Sequence, residues 1–139
     1  MCEIQEMELE ALRENLPEVM DFISAELEAR ECPMKTQMQI CLAVEEIFIN
    51  IASYAYAPAT GRVKLRMQYC EDPAGIQITL TDSGVPYDPL AKEDPDVTLP
   101  AEKRKIGGLG IYLVKKTMDE VSYEYKDGTN NFTMIKRFA

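Results

Sequence analysis

Histidine is absent from the 139 residues, and that absence removes several chemistries at once. A Ser-His-Asp hydrolase, a His-ligated zinc centre and a phosphohistidine relay each need an imidazole. A phosphoryl acceptor must therefore be another residue type or belong to another molecule. Positive charge is in deficit too: 15 Lys and Arg against 24 Asp and Glu leave a net charge of −9 and a pI near 4.6. Nucleic acids and anionic membranes require a basic footprint, so neither is expected as a partner, whereas a basic or mixed-charge protein is. The four cysteines, Cys2, Cys32, Cys41 and Cys70, include no Cys-x-x-Cys pair. With no apolar signal segment ahead of them, they read as thiols in or near the core of a chain in a reducing, cytoplasmic setting. No apolar run reaches bilayer length, because Glu45, Glu46 and Asn50 interrupt the most apolar stretch.

What is present is a globular composition, 46% hydrophobic and 28% charged, at a length that suits one domain over residues 1–139. Residues 12–30 read as an amphipathic helix with Leu16, Val19, Met20, Ile23 and Leu27 on one stripe. Pro33 ends it. A second helix is predicted over residues 35–56, where Ile40, Ala43, Val44, Ile47, Phe48 and Ile51 wrap most of the circumference, as in a central buried helix. Alternation predicts strands over residues 62–70 and 76–81, then 121–126 and 131–138 around an Asp127-Gly128 turn, with a short extra strand at residues 4–7. Between the strand pairs, residues 83–105 lose all pattern and hold four prolines, which suits a functional loop or lid. A third helix starts at Gly107-Gly108-Leu109-Gly110 and ends near Asp119. This order predicts an α+β two-layer sandwich, with helices on one face of a mixed, mainly antiparallel sheet.

Three clusters carry the chemistry. On the second helix Asn50 lies about 40° round from Glu46, so a carboxylate and a carboxamide share one notch. The pair is either a polar stripe beside the core or a site in which Asn50 meets Mg²⁺ and Glu46 takes a proton. Asp82-Ser83-Gly84-Val85-Pro86 follows an apolar strand. It is either a plain turn or a place where a buried carboxylate accepts from an exocyclic amine such as that of adenine, with Gly84 leaving room for the base. Three of the seven glycines fall in Gly107-Gly108-Leu109-Gly110. Their open N–H groups at a helix start suit a polyphosphate, with Lys103, Arg104 and Lys105 just ahead, or they form a hinge. Neither the Gly-Lys-Ser/Thr cradle nor the Gly-x-Gly-x-x-Gly fingerprint is present.

Taken together, Glu46-Ile47-Phe48-Ile49-Asn50, Asp82-Ser83-Gly84 and Gly108-Leu109-Gly110 resemble the N box and two glycine boxes of the histidine-kinase-like (GHKL) ATPases. Residues 43–50 and 107–114 resemble the anti-sigma-factor serine/threonine kinases of the RsbW type. The resemblance implies the GHKL ATPase fold with an ATP lid at about 84–107, and ATP and Mg²⁺ as cofactors. It assigns Glu46 as general base and Asn50 to the metal. Asp82 and Gly84 would be at adenine, Tyr54 beside the nucleotide, and Gly108, Leu109 and Gly110 at the phosphates. Thr133 would support Asp82 with its hydroxyl. It implies a homodimer with two partners, a sigma factor that is sequestered and a small antagonist protein that is phosphorylated. Glu45 and Tyr54 depart from the family pattern, and two adjacent carboxylates alter each other's ionisation. The competing reading is a nucleotide-dependent binding module without kinase activity.

Overall fold

The computed structural model describes residues 2–91 and 109–139. Five strands form one sheet in the order β1-β2-β3-β5-β4, comprising β1 (Cys2–Glu10), β2 (Arg62–Cys70), β3 (Gly75–Asp82), β4 (Glu120–Lys126) and β5 (Thr129–Arg137). All four pairings are antiparallel. The alternation read from the sequence sets which face is buried. Val63, Leu65 and Met67 on β2, Ile76, Ile78 and Leu80 on β3, and Phe132 and Met134 on β5 point to one side. Three helices cover that side: α1 (Leu16–Ala29), α2 (Met34–Asn50) and α3 (Leu109–Thr117). The central helix α2 buries Ile40, Ala43, Val44, Ile47 and Phe48.

Three sequence expectations shift. The first helix starts at Leu16, after a single 3-10 turn Arg13–Asn15, with Pro17 in its first turn, where the missing N–H costs nothing. The second helix leaves α geometry after Asn50 and finishes as a π-helical turn, Ile51–Ala55. As one helix, Met34–Ala55 is long and apolar enough by length and composition to cross a bilayer, contrary to the reading of its charges as interruptions. Of its apolar residues, Ile40, Ala43, Val44, Ile47, Phe48, Ile51 and Ala55 are accounted for by the core that they fill, whereas Met34, Met38 and Leu42 are exposed.

The extra strand is nine residues long, where residues 4–7 were predicted. It escapes the alternation signal because it is an edge strand with Glu3, Glu6, Glu8 and Glu10 exposed. Glu6 and Glu8 face a basic neighbour, with Glu8–Arg62 and Glu6–Lys64 at 3.2 Å and Glu6–Arg66 at 3.9 Å, while Glu3 pairs with Arg30 just after α1. Each exposed pair adds little, while the ladder fixes register. At the strand's start Cys2 sits opposite Cys70, Cα atoms 4.2 Å apart, and the two form a disulfide. This corrects the reading of all four cysteines as thiols in or near the core: only Cys32, buried, and Cys41, half-buried, are free.

Candidate functional site

A cavity of about 340 Å³ opens between the end of α2, the end of β3 and the β4–β5 pair, and its walls include Ile47, Asn50, Leu80, Asp82, Tyr123 and Phe132. Asp82 is the last residue of β3 and falls on the core face by the same alternation that buries Ile78 and Leu80. Its Oδ1 accepts from the Gly84 N–H at 2.9 Å and from Asn130 Nδ2 at 3.0 Å. Both bonds go to one oxygen, which leaves Oδ2 as an open acceptor in a largely apolar cavity. A flat, mainly apolar ring with an exocyclic amine fits that arrangement.

The π-helical turn shapes the adjoining wall. The Ala55 carbonyl accepts from the Val85 N–H at 2.9 Å. A side chain at Gly84 would overlap that same carbonyl, so the close approach of loop and helix requires glycine there. Tyr56 pins the loop again, accepting from the Ser83 N–H at 2.8 Å and donating to the Arg62 carbonyl at 2.6 Å. Single π turns inside helices recur where a functional group must be displaced from the regular helical path.

One turn back from Asn50, Glu46 lies half-buried against the start of α3, where a Cβ on Gly110 would overlap its carboxylate. Burial is the main cause, and the Glu45 charge the second, that raises the Glu46 carboxyl above the ordinary glutamate range. Neither the Glu46 carboxylate nor the Asn50 carboxamide has a hydrogen-bond partner among the described residues. Among those residues no three His, Cys, Asp or Glu side chains cluster as a metal cage. Mg²⁺ does not need one, since it commonly takes one or two protein oxygens and fills its shell with phosphate and water.

The structure thus brings Glu46, Asn50, Asp82, Gly84 and Gly110 to one region. Tyr54 lines the cavity rim and is 65% exposed. Leu109 opens α3, while Gly107, Gly108, the basic triplet 103–105 and the loop from 92 onward lie outside the described residues. Thr133 needs correction. It points to the opposite face of the sheet, where its hydroxyl pairs with that of Thr79 at 3.0 Å, so it does not support Asp82.

The residue that does so is Asn130, buried and missed by the sequence reading. Its Nδ2 donates to Asp82 Oδ1 and, at 2.9 Å, to the Val85 carbonyl. Its Oδ1 accepts from the Tyr87 N–H at 3.1 Å and from the Tyr123 hydroxyl. Burial pushes the Tyr123 phenol above its ordinary range, which keeps it a donor. The signal was parity: Asn130 alternates with Phe132 and Met134, but the last strand was predicted from 131, which put Asn130 in a turn.

Comparison with known proteins agrees with this geometry. The family described as "Histidine kinase-like ATPase domain" matches residues 9–136. The serine/threonine-protein kinase BtrW of Bordetella bronchiseptica is 27% identical over 108 residues, 76% of this chain and 73% of that protein. The serine-protein kinase RsbW of Bacillus cereus is 30% identical over 91 residues, 63% of this chain, and the match spans little more than half, 56%, of that protein. The solved RsbU and RsbW domains of Rv1364c from Mycobacterium tuberculosis share the fold, with a TM-score of 0.69 over 97% of this chain and 32% of that one, at 14% identity. With a family match over nearly its whole length, and a buried carboxylate and a carboxamide lining one cavity, the chain belongs to the histidine kinase-like ATPase family.

Proposed function

We propose that the chain is an ATP-dependent serine/threonine protein kinase that acts as an anti-sigma factor, phosphorylating a small antagonist protein and sequestering a sigma factor. One observation carries the kinase reading: Glu46, half-buried and without a hydrogen-bond partner among the described residues, stands one helical turn before Asn50, which lines the same cavity as Asp82. A nucleotide binder alone needs no base at that place. When bound, ATP supplies the phosphoryl group and Mg²⁺ offsets its charge. The chain's own part is positioning. Asp82 Oδ2 accepts from the adenine amine, Gly84 clears room for the base, and Asn50 offers its amide oxygen to the metal. Gly110 and Leu109 in the first turn of α3 would present backbone N–H groups at the phosphate end, the family's role for Gly108 falling outside the described residues, and Tyr54 would shield the rim. Glu46 takes the proton from the partner's Ser or Thr hydroxyl on a carboxylate oxygen, which its raised pKa favours.

A single domain over residues 1–139, a homodimeric assembly and a cytoplasmic setting belong to the same reading. In a reducing compartment the Cys2–Cys70 bond would open, leaving β1 held by its ladder and ion pairs. The direct test is radiolabelled transfer from Mg·ATP to an antagonist protein by wild type and Glu46→Gln. Transfer by wild type that disappears in the variant, with ATP affinity kept, supports a kinase. Tight ATP binding with no transfer by wild type turns the assignment to a nucleotide-dependent binding module.

A further inference from the structure

Every fourth residue of α2 reads Met34, Met38, Leu42, Glu46 and Asn50. Each step advances about 40° around the helix and about 6 Å along it, so these residues form one continuous ridge that winds slowly across its surface. Its last two members are the candidate base and the metal amide. Its first three are large apolar side chains that are 67%, 59% and 63% exposed.

The remaining faces of α2 are occupied. The sheet side is core. On one flank α1 meets it, where Gln37 Nε2 donates to Glu28 at 3.1 Å and Ser24 Oγ lies 3.7 Å from Cys41 Sγ. On the other flank α3 runs antiparallel to α2, because Gly110 lies against Glu46 while Met118 lines a small cleft with Ile40 and Val44. Leu113, 52% exposed, therefore falls level with Leu42. A single exposed leucine is ordinary, but a row of large exposed apolar side chains that leads along α2 to the candidate base, on a chain of net charge −9, is not. Methionine is the side chain suited to a surface that must adapt to a partner.

We propose that Met38 and Leu42, joined by Leu113 and with Met34 at the outer edge, are the docking ridge for the protein that carries the accepting hydroxyl. The proposal rests on the kinase reading above. A hydroxyl on a folded protein reaches Glu46 only if the surrounding surface comes with it. A standard interface covers about 800 Å² per partner, a disc of about 16 Å radius. Leu42 and Met38 lie about 6 and 12 Å from Glu46 along the helix axis, inside that disc. The partner surface that fits is an apolar patch with charges of both signs at its rim, since exposed Lys35 adjoins Met34 and exposed Lys116 lies on α3, while half-buried Glu45 adjoins Glu46.

The test measures transfer kinetics toward the antagonist protein, its binding to each chain, and ATP affinity, for wild type, Met38→Glu, Leu42→Glu and Met38→Leu. KM for the antagonist is expected to rise at least about tenfold in the two acidic variants, as for loss of an interface hot spot. Turnover and ATP affinity stay within about twofold, and Met38→Leu behaves as wild type. Unchanged KM overturns the proposal. So does an altered sedimentation coefficient with unchanged KM, which assigns the ridge to a second copy of the chain, and so does weakened ATP binding. If wild type transfers no phosphate yet binds the antagonist, and Met38→Glu loses that binding, the ridge stands and the kinase reading falls. If wild type neither transfers to nor binds the antagonist, both fall.

Discussion

Asn130→Ala should be the most damaging single change at the cavity that leaves Asp82, Glu46 and Asn50 in place. The buried carboxamide joins Asp82, the Val85 carbonyl, the Tyr87 N–H and the Tyr123 hydroxyl. Truncation removes the shared partner of all four at once. Asp82 keeps the Gly84 N–H at 2.9 Å and the Tyr87 N–H keeps the Tyr123 hydroxyl at 3.2 Å, so the penalty is that of the remaining two groups: about 2–4 kcal/mol, at 1–3 for each group left unpaired. For a chain of this size that is a fall in Tm of about 10 °C. Asp82 also loses one of the two bonds that orient it, so ATP affinity should drop at least about tenfold, the effect of roughly one charge-assisted hydrogen bond. Thr133→Val is the control. It removes only the Thr79 contact on the far face, so it should cost within about 1 kcal/mol and leave ATP affinity alone. The assays are thermal unfolding by circular dichroism and ATP titration by calorimetry. A Thr133→Val that weakens ATP binding while Asn130→Ala does not would refute the reasoning.

Glu46→Gln should cut phosphate transfer by about 10²–10⁴ with ATP affinity nearly unchanged, measured by radiolabel transfer and calorimetry. Because burial and then Glu45 raise the Glu46 carboxyl, wild-type transfer should fail on acidification at a higher pH than an ordinary glutamate would set, and Glu45→Gln should move that inflection down. The same shift has a stability sign. The fold favours the neutral acid, so this contribution is complete below the unfolded-state pKa and is lost as pH rises through the raised folded-state value. Glu46→Gln should therefore melt above wild type at neutral pH, with the difference closing in acid. Gly110→Ala drives a methyl into the Glu46 carboxylate and should depress turnover more than ATP affinity, whereas Gly84→Ala meets the Ala55 carbonyl and should weaken both ATP binding and the fold. Reduction of Cys2–Cys70, a link across 68 residues, should lower stability by up to about 4 kcal/mol in denaturant titration. Non-reduced unfolded protein should then show two free thiols, not four.

The strands with clean alternation and the apolar stripes of α1 and α2 were legible because burial on one face leaves its period in the sequence. The candidate site was legible where that pattern breaks, namely Glu46 and Asn50 on an otherwise apolar helix, Asp82 at the end of an apolar strand, and Gly110 in the first turn of α3. Three things were hidden for physical reasons. β1 pairs through charge at an edge, and only Met7 and Leu9 near its end turn to the core, so the alternation is short. The π-helical turn after Asn50 depends on the contact of Ala55 with the Val85 loop, which has no local signature. The partner of Asp82 was misplaced by one parity, because Thr133 and Asn130 lie on opposite faces of β5 and the strand was taken to begin at Asn131. Cys2 and Cys70 are brought together by the β1–β2 register, which spacing alone does not disclose.

Calorimetric titration of Mg·ATP into wild type and Asp82→Ala tests the central claim most directly. The account predicts saturable one-to-one binding by wild type and a loss of at least about tenfold in the variant, which lacks the acceptor along with its bonds to Gly84 and Asn130. Absence of ATP binding by the folded wild-type chain, or equal binding by both proteins, would contradict it.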